Sequence, residues 1–244
     1  MNAELLNKSK KPIAISQRLQ PKVYSLKPTM KAVIFDMDGL MFNTEDVYTL
    51  VGTELLRRRG REFTPELKNE MMGLKPQTSF EIMIRAFNLR ETWLELAAES
   101  NALFIGLLDE HLAPMPGLIE LLDALEAADI PKAIATSSSR VLMDACLKRF
   151  DMHRCFRFFL TAEDITRGKP HPEIYLTAAA RFEVNPSELL VLEDSQNGCK
   201  AAAAAGAFTV AVPARHSRTH DFSSAAMVVE NLSDPRLYEV LGLK

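Results

Sequence analysis

The 244-residue sequence predicts an α/β fold, a Rossmann-like core with a parallel sheet and an inserted all-helical domain. Three observations predict it. Short apolar runs at 31–36, 131–137, 156–162, 189–195 and 207–213 have the length and composition of strands buried on both faces. Between the later runs, apolar residues recur at helical spacing, and strands alternating with helices require right-handed crossovers and a parallel sheet. The interval 44–111 breaks that alternation and reads as helix throughout.

Taken in order, residues 1–29 hold six cations against Glu4, a balance of +5 within a chain whose net charge is −3. The rest therefore sums to −8. This basic leader is expected to be an extension ahead of the core. It lacks the apolar stretch of a signal peptide and is poorer in Arg and Ser than an organellar transit peptide. The first strand, 31–36, ends on Asp36. The helices expected in the insert span 45–59, 65–72, 78–87 and 92–111. Pro114-Met-Pro116-Gly117 returns the chain to the core, where helices at 118–128, 141–150, 173–182 and 200–205 separate the remaining strands. Gly206 reads as the C-cap of the last. The domains are thus an extension (1–29), a core (30–43 and 112–244) and a cap (44–111).

Composition removes several classes. The chain is 47% apolar and 25% charged, as soluble globular proteins are. A net charge of −3 lacks the basic bias of a nucleic-acid binder, and no apolar run reaches the ~18 residues of a membrane span. Cys146, Cys155 and Cys199 match no zinc spacing and suit a reducing compartment. A cytoplasmic monomer is expected, with an organellar address in 1–29 left open.

Polar residues collect where the strands end, and ligands of open α/β sheets bind beyond those carboxyl ends. Asp36-Met-Asp38-Gly39 places two carboxylates just past the first strand, where they can share a divalent cation while one stays a nucleophile. Such a string also occurs in ordinary turns. Thr136, Ser137 and Ser138 offer hydroxyls and backbone N–H groups at a helix start, a cradle for an anion. Lys169, flanked by prolines in Gly168-Lys-Pro-His-Pro172, can neutralise a phosphate. Glu193 and Asp194 supply further acid for a metal.

In this order the motifs resemble those of the haloacid dehalogenase superfamily, over residues 31 to about 213. Phe35-Asp-Met-Asp-Gly-Leu40, Met72-Gly-Leu-Lys75, Met115-Pro-Gly117, Ala135-Thr-Ser137, Gly168-Lys-Pro170 and Leu192-Glu-Asp-Ser195 are similar to strings of its β-phosphoglucomutase-like phosphatases. The resemblance implies a phosphomonoester hydrolase working through an aspartyl phosphate on Asp36. It makes Asp38 the acid and then the base, and has Thr136 and Lys169 hold the phosphoryl group. Mg²⁺ would be bound by Asp36, the Asp38 carbonyl and Asp194, with Glu193 as ligand or support. A small phosphorylated metabolite is the expected partner: a sugar phosphate, nucleoside monophosphate or glycerol phosphate.

A sugar-phosphate mutase is the alternative, disfavoured because Tyr48 stands where that pattern has a histidine and the cap loop 73–79 holds no arginine. A non-catalytic binding protein on the same scaffold is the second alternative. Glu45, Lys75, Gln77, Ser137 and Ser138 are candidates for substrate binding. Arg57-Arg58-Arg59 is expected to be a solvated face, Trp93 to pack inside the cap, and the loop 215–220 to lie at the active edge of the sheet.

Overall fold

The computed structural model describes residues 30–71 and 74–243; the leader 1–29, with Met72, Gly73 and Lys244, lies outside the described residues. All four side chains of β1 (Ala32–Phe35) are wholly buried, as a strand covered on both faces requires. It runs parallel to β2 (Lys132–Ala135) on one side and β4 (Leu189–Glu193) on the other, with Ile34 opposite Ala133 and Val191. Adding β3 (Phe159–Leu160), β5 (Phe208–Ala211) and β6 (Met227–Val228) gives a six-stranded parallel sheet of order β3-β2-β1-β4-β5-β6.

The two-residue period of a strand sorts its side chains into two layers. Val33, Phe35, Leu190 and Leu192 face a core shared with α5 (Leu118–Ala127), α6 (Arg140–Arg149) and α9 (Pro235–Leu241). Ala32, Ile34, Leu189 and Val191 face α7 (Glu173–Phe182) and α8 (Gln196–Ala205). The alanines of α8 supply its buried face, and Gly206, at φ 84°, ends it in the left-handed conformation expected of a C-cap.

Between β1 and α5 lie α1 (Thr44–Arg57), α2 (Pro65–Met71), α3 (Pro76–Phe87) and α4 (Trp93–His111), with no strand among the described residues of this interval. Glu45 and Asp46 in its first turn and Arg57 in its last suit the dipole of α1. Thr92 and Glu95 cap α4 reciprocally. The four helices share a separate apolar cluster that includes Leu55, Leu56, Met83 and Leu96. They meet the sheet layer through Val47, Val51, Phe104 and Leu108. Asn43 clips the two crossings together, accepting from the Ala113 N–H at 2.7 Å and donating to the His111 carbonyl at 3.1 Å.

Three expectations need correction. Of the run 156–162 only Phe159 and Leu160 pair, because this is the sheet edge and the chain enters and leaves it through 3-10 turns at His153–Cys155 and Ala162–Asp164. Past residue 213 the sequence suggests only the loop 215–220, whereas strand β6 and helix α9 stand there, inside the core assigned to 112–244. Arg59 is not solvated: its guanidinium braces α1 against Glu91 at 2.8 Å and Glu99 at 2.7 Å, while Arg57 and Arg58 stay exposed on Glu54. Among the described residues no helix is long and apolar enough to cross a membrane, and all three cysteines are free thiols.

Candidate active site

The carboxyl ends of β1, β2 and β4 lie side by side, so the residues that follow them share one edge of the sheet. Asp36 follows β1 directly and is fixed by its own N–H, which donates to the Leu192 carbonyl at 3.0 Å. Its Oδ1 accepts from the Lys169 ammonium at 2.6 Å, and the same nitrogen donates to Glu193 Oε1 at 2.6 Å and to the Ala135 carbonyl at 3.1 Å. Lys169 comes from the loop before α7 and is only 5% exposed. Burial works against its charge, but Asp36 and Glu193 outweigh that and hold its pKa above the usual lysine value.

Glu193, the last residue of β4, is wholly buried, and both of its oxygens are engaged. Oε1 also accepts from the Tyr175 hydroxyl at 2.6 Å, and Oε2 accepts from Ser195 N–H at 3.2 Å and Ser195 Oγ at 2.9 Å. Gly198, in the first turn of α8, makes this possible, since a Cβ there would overlap the carboxylate. Asp194 is 6% exposed and lies against Gly39, whose φ of 77° takes the chain away from the site in a conformation that favours glycine.

Asp36, Glu193 and Asp194 each bring an oxygen within 4.8 Å of the others. Burial, reinforced by the neighbouring acids, holds Asp36 and Asp194 above the ordinary carboxylate range, with Lys169 acting in the opposite direction. Three acids around one ammonium leave an excess of negative charge in a buried space. A hard cation such as Mg²⁺ fits this all-oxygen set. Because four donors already hold Glu193, Asp36 and Asp194 have the freer oxygens.

Asp38 sits on the other side of the turn. Its Oδ2 accepts from Thr136 Oγ1 at 2.9 Å and Ser138 Oγ at 2.7 Å, while its buried Oδ1 has no partner among the described residues. The Tyr48 hydroxyl stands 3.4 Å from Ser138 Oγ. Ser138 has one proton and gives it to Asp38, so Tyr48 is the donor of that pair. Thr136 is fully buried, with its hydroxyl turned to Asp38 rather than to open space; Ser137 and Ser138 are the residues of that string on the cavity wall.

Above these groups a cavity of about 900 Å³ extends between the sheet edge and helices α1 to α4. Glu45, Lys75 and Gln77 all line it. Lys75 donates to the Thr166 carbonyl at 3.1 Å, in the loop that carries Lys169, and Gln77 donates to Glu81 at 2.9 Å. Burial pushes Glu45 up to about 7 despite Lys68 nearby. Trp93 does not pack inside the helical segment; it is partly exposed on the cavity wall.

Sequence reasoning missed Tyr175, whose one signal was a tyrosine in the first turn of a helix on the sheet, where a buried hydroxyl needs a partner. It also missed Lys68 and the role of His216. In the loop 215–220, His216 contacts Asp46 of α1 at 2.7 Å and Lys68 of α2 at 3.0 Å, and His220 lines the cavity. Nothing local in 65–71 marks Lys68.

Residues 33–212 match the haloacid dehalogenase-like hydrolase family. The chain belongs to that family. A Drosophila melanogaster member, "Probable pseudouridine-5'-phosphatase", is 34% identical over 82% of this chain and 89% of its own. A Thermotoga maritima member, "Phosphorylated carbohydrates phosphatase", is 32% identical over 72% of this chain and 82% of its own. Among solved structures, CbbY from Rhodobacter sphaeroides in complex with phosphate superposes with a TM-score of 0.78 over 88% of this chain and 100% of that one. At 23% identity that likeness concerns the fold. The haloacid dehalogenase-like fold accounts for the parallel sheet.

Proposed function

We propose that the protein is a Mg²⁺-dependent hydrolase of small phosphomonoesters, working through an aspartyl phosphate on Asp36. One observation carries this: Asp36 meets Lys169 at 2.6 Å while Asp38, two residues on, is held by two hydroxyls and keeps a free oxygen. Asp36 and Asp194, with the Asp38 carbonyl, would hold the cation, and Glu193 would support Lys169. Bound there, Mg²⁺ supplies positive charge that offsets the repulsion between a carboxylate and a phosphate dianion.

The steps balance on the protein's own groups. An Asp36 oxygen attacks phosphorus in line, and the ester P–O bond breaks as the leaving oxygen takes a proton from Asp38. Water then attacks the same phosphorus and gives a proton to Asp38. The bond from Asp36 to phosphorus breaks, and Asp36 and a protonated Asp38 return. Lys169 and Ser137 would hold the phosphoryl oxygens throughout, while Thr136 and Ser138 orient Asp38. Residues 44–111 would act as a cap that covers the reaction, with Glu45, Lys75 and Gln77 facing the substrate.

The mutase reading finds no support in the cavity wall, which has no arginine among its described residues to grip a second phosphate. Phosphate release from a panel of phosphorylated metabolites, with Mg²⁺ and with chelator, tests the proposal. Release that needs Mg²⁺ is expected. Conversion of glucose 1-phosphate to an isomer without release would favour the mutase, and binding without turnover the idle scaffold.

A further inference from the structure

We infer that the alcohol half of the substrate carries a flat aromatic ring, as in a nucleoside or flavin monophosphate, rather than a polyol chain; this rests on the hydrolase reading above. The cavity wall is mixed: polar groups line it at the sheet edge, and Glu45, Lys68, Lys75, Gln77 and Asn101 line it from the helical segment. Phe63, Phe80 and Trp93 line it from the helical segment as well, with Val51, Leu55 and Met83 buried behind them. Phe63, Phe80 and Trp93 are each half-buried, and all three line the cavity. Phe63 lies against the backbone of α1 at Gly52, where a Cβ would meet the ring at 2.6 Å. That glycine lets the ring sit back and widens the space.

Size and chemistry then agree. A volume of about 900 Å³ lies at the upper end of the range that encloses drug-sized ligands, and exceeds what glycerol phosphate can fill. Aromatic faces favour a flat π-system through stacking. A polyol set against the rings would leave the hydroxyls on that side without partners, which an apolar face penalises. Asn101 of α4 also lines the cavity, and its amide makes no side-chain bond among the described residues. One donor and one acceptor on a single amide suit the edge of a heterocycle.

Trp93 is the single tryptophan of the chain, so its emission reports occupancy of this wall. The full-length protein would be assayed with Mg²⁺ on uridine 5'-monophosphate, flavin mononucleotide, sorbitol 6-phosphate and glycerol 3-phosphate. In parallel, uridine monophosphate and sorbitol 6-phosphate would be titrated into Asp36→Asn while Trp93 emission is followed. At least about a tenfold higher kcat/KM is expected for the better ring ester than for either polyol. Saturable quenching of Trp93 is expected with the nucleotide alone. Phe80→Ala should erase most of the ring preference, through KM, by lowering kcat/KM for the ring esters more than for glycerol 3-phosphate. Polyol phosphates cleaved as well as or better than both ring esters would overturn the inference and leave the hydrolase reading standing. Saturable quenching without any phosphate release would keep the ring site and sink the hydrolase reading. Neither quenching nor release from any ester would reject both.

Discussion

Ser138 Oγ lies 2.7 Å from Asp38 Oδ2 and 3.4 Å from the Tyr48 hydroxyl, so helix α1 reaches the proposed acid through one serine. The relation ties the orientation of Asp38 to the position of the helical segment. A hydrogen bond to a charged acceptor contributes about 1.5–3 kcal/mol.

Ser138→Ala therefore lowers kcat by roughly 10- to 100-fold with little change in KM. Tyr48→Phe, which removes a longer bond one step back, costs less, about threefold. Steady-state kinetics across pH check both, and an unchanged kcat in Ser138→Ala would remove the positioning role.

Lys169 is the one ammonium bonded to Asp36 and Glu193 among the described residues, and it is 5% exposed. Replacing it by Met leaves buried acids without their counter-charge, at a cost of about 3–5 kcal/mol in metal-free buffer. Urea unfolding measures this. Addition of Mg²⁺ should recover part of the loss, because a bound cation neutralises the same carboxylates.

Glu45, raised from 4.5 to about 7 by burial, makes stability depend on pH in a definite direction. A carboxyl whose folded pKa is raised binds more protons in the folded state than in the unfolded state. It therefore costs nothing below about pH 4, opposes folding increasingly between about pH 4.5 and 7, and levels off above. Glu45→Gln removes that cost. It should be more stable than the parent by roughly 1–3 kcal/mol at pH 8 in metal-free buffer, and equal to it at pH 4. Equal stability at both pH values would contradict the assignment.

Gly198 leaves the space in which the Glu193 carboxylate sits. Gly198→Ala should displace that carboxylate and its bonds to Lys169 and Tyr175, lowering stability by about 3 kcal/mol and activity with it. Thermal unfolding and phosphate release check the two together.

Much of this was legible because the central strands are buried on both faces. Ala32–Phe35 and Leu189–Glu193 read as unbroken apolar runs, and the acids that end them mark the sheet edge by position alone. The helical interval was legible because no strand-like run interrupts 44–111. What failed was short or distant. The pair Met227 and Val228 is too brief to show a period, and β3 shrank to two residues because an edge strand pairs on one side only. The bond from Tyr175 to Glu193 joins residues 18 apart, and that of His216 to Asp46 joins residues 170 apart. Such contacts are made by packing, and no local pattern encodes them. Trp93 misled for the same reason: its size suggested a core position, yet it stands at the first turn of α4 facing open space.

The central claim is that Asp36 is the atom donor to phosphorus, and the most direct measurement is an acid quench of the enzyme during turnover, followed by peptide mass analysis. The account predicts a phosphate mass increment on the peptide containing Asp36, dependent on Mg²⁺, and loss of both the increment and phosphate release in a folded Asp36→Asn variant. Full phosphate release by Asp36→Asn, or an increment on any other peptide, would contradict it.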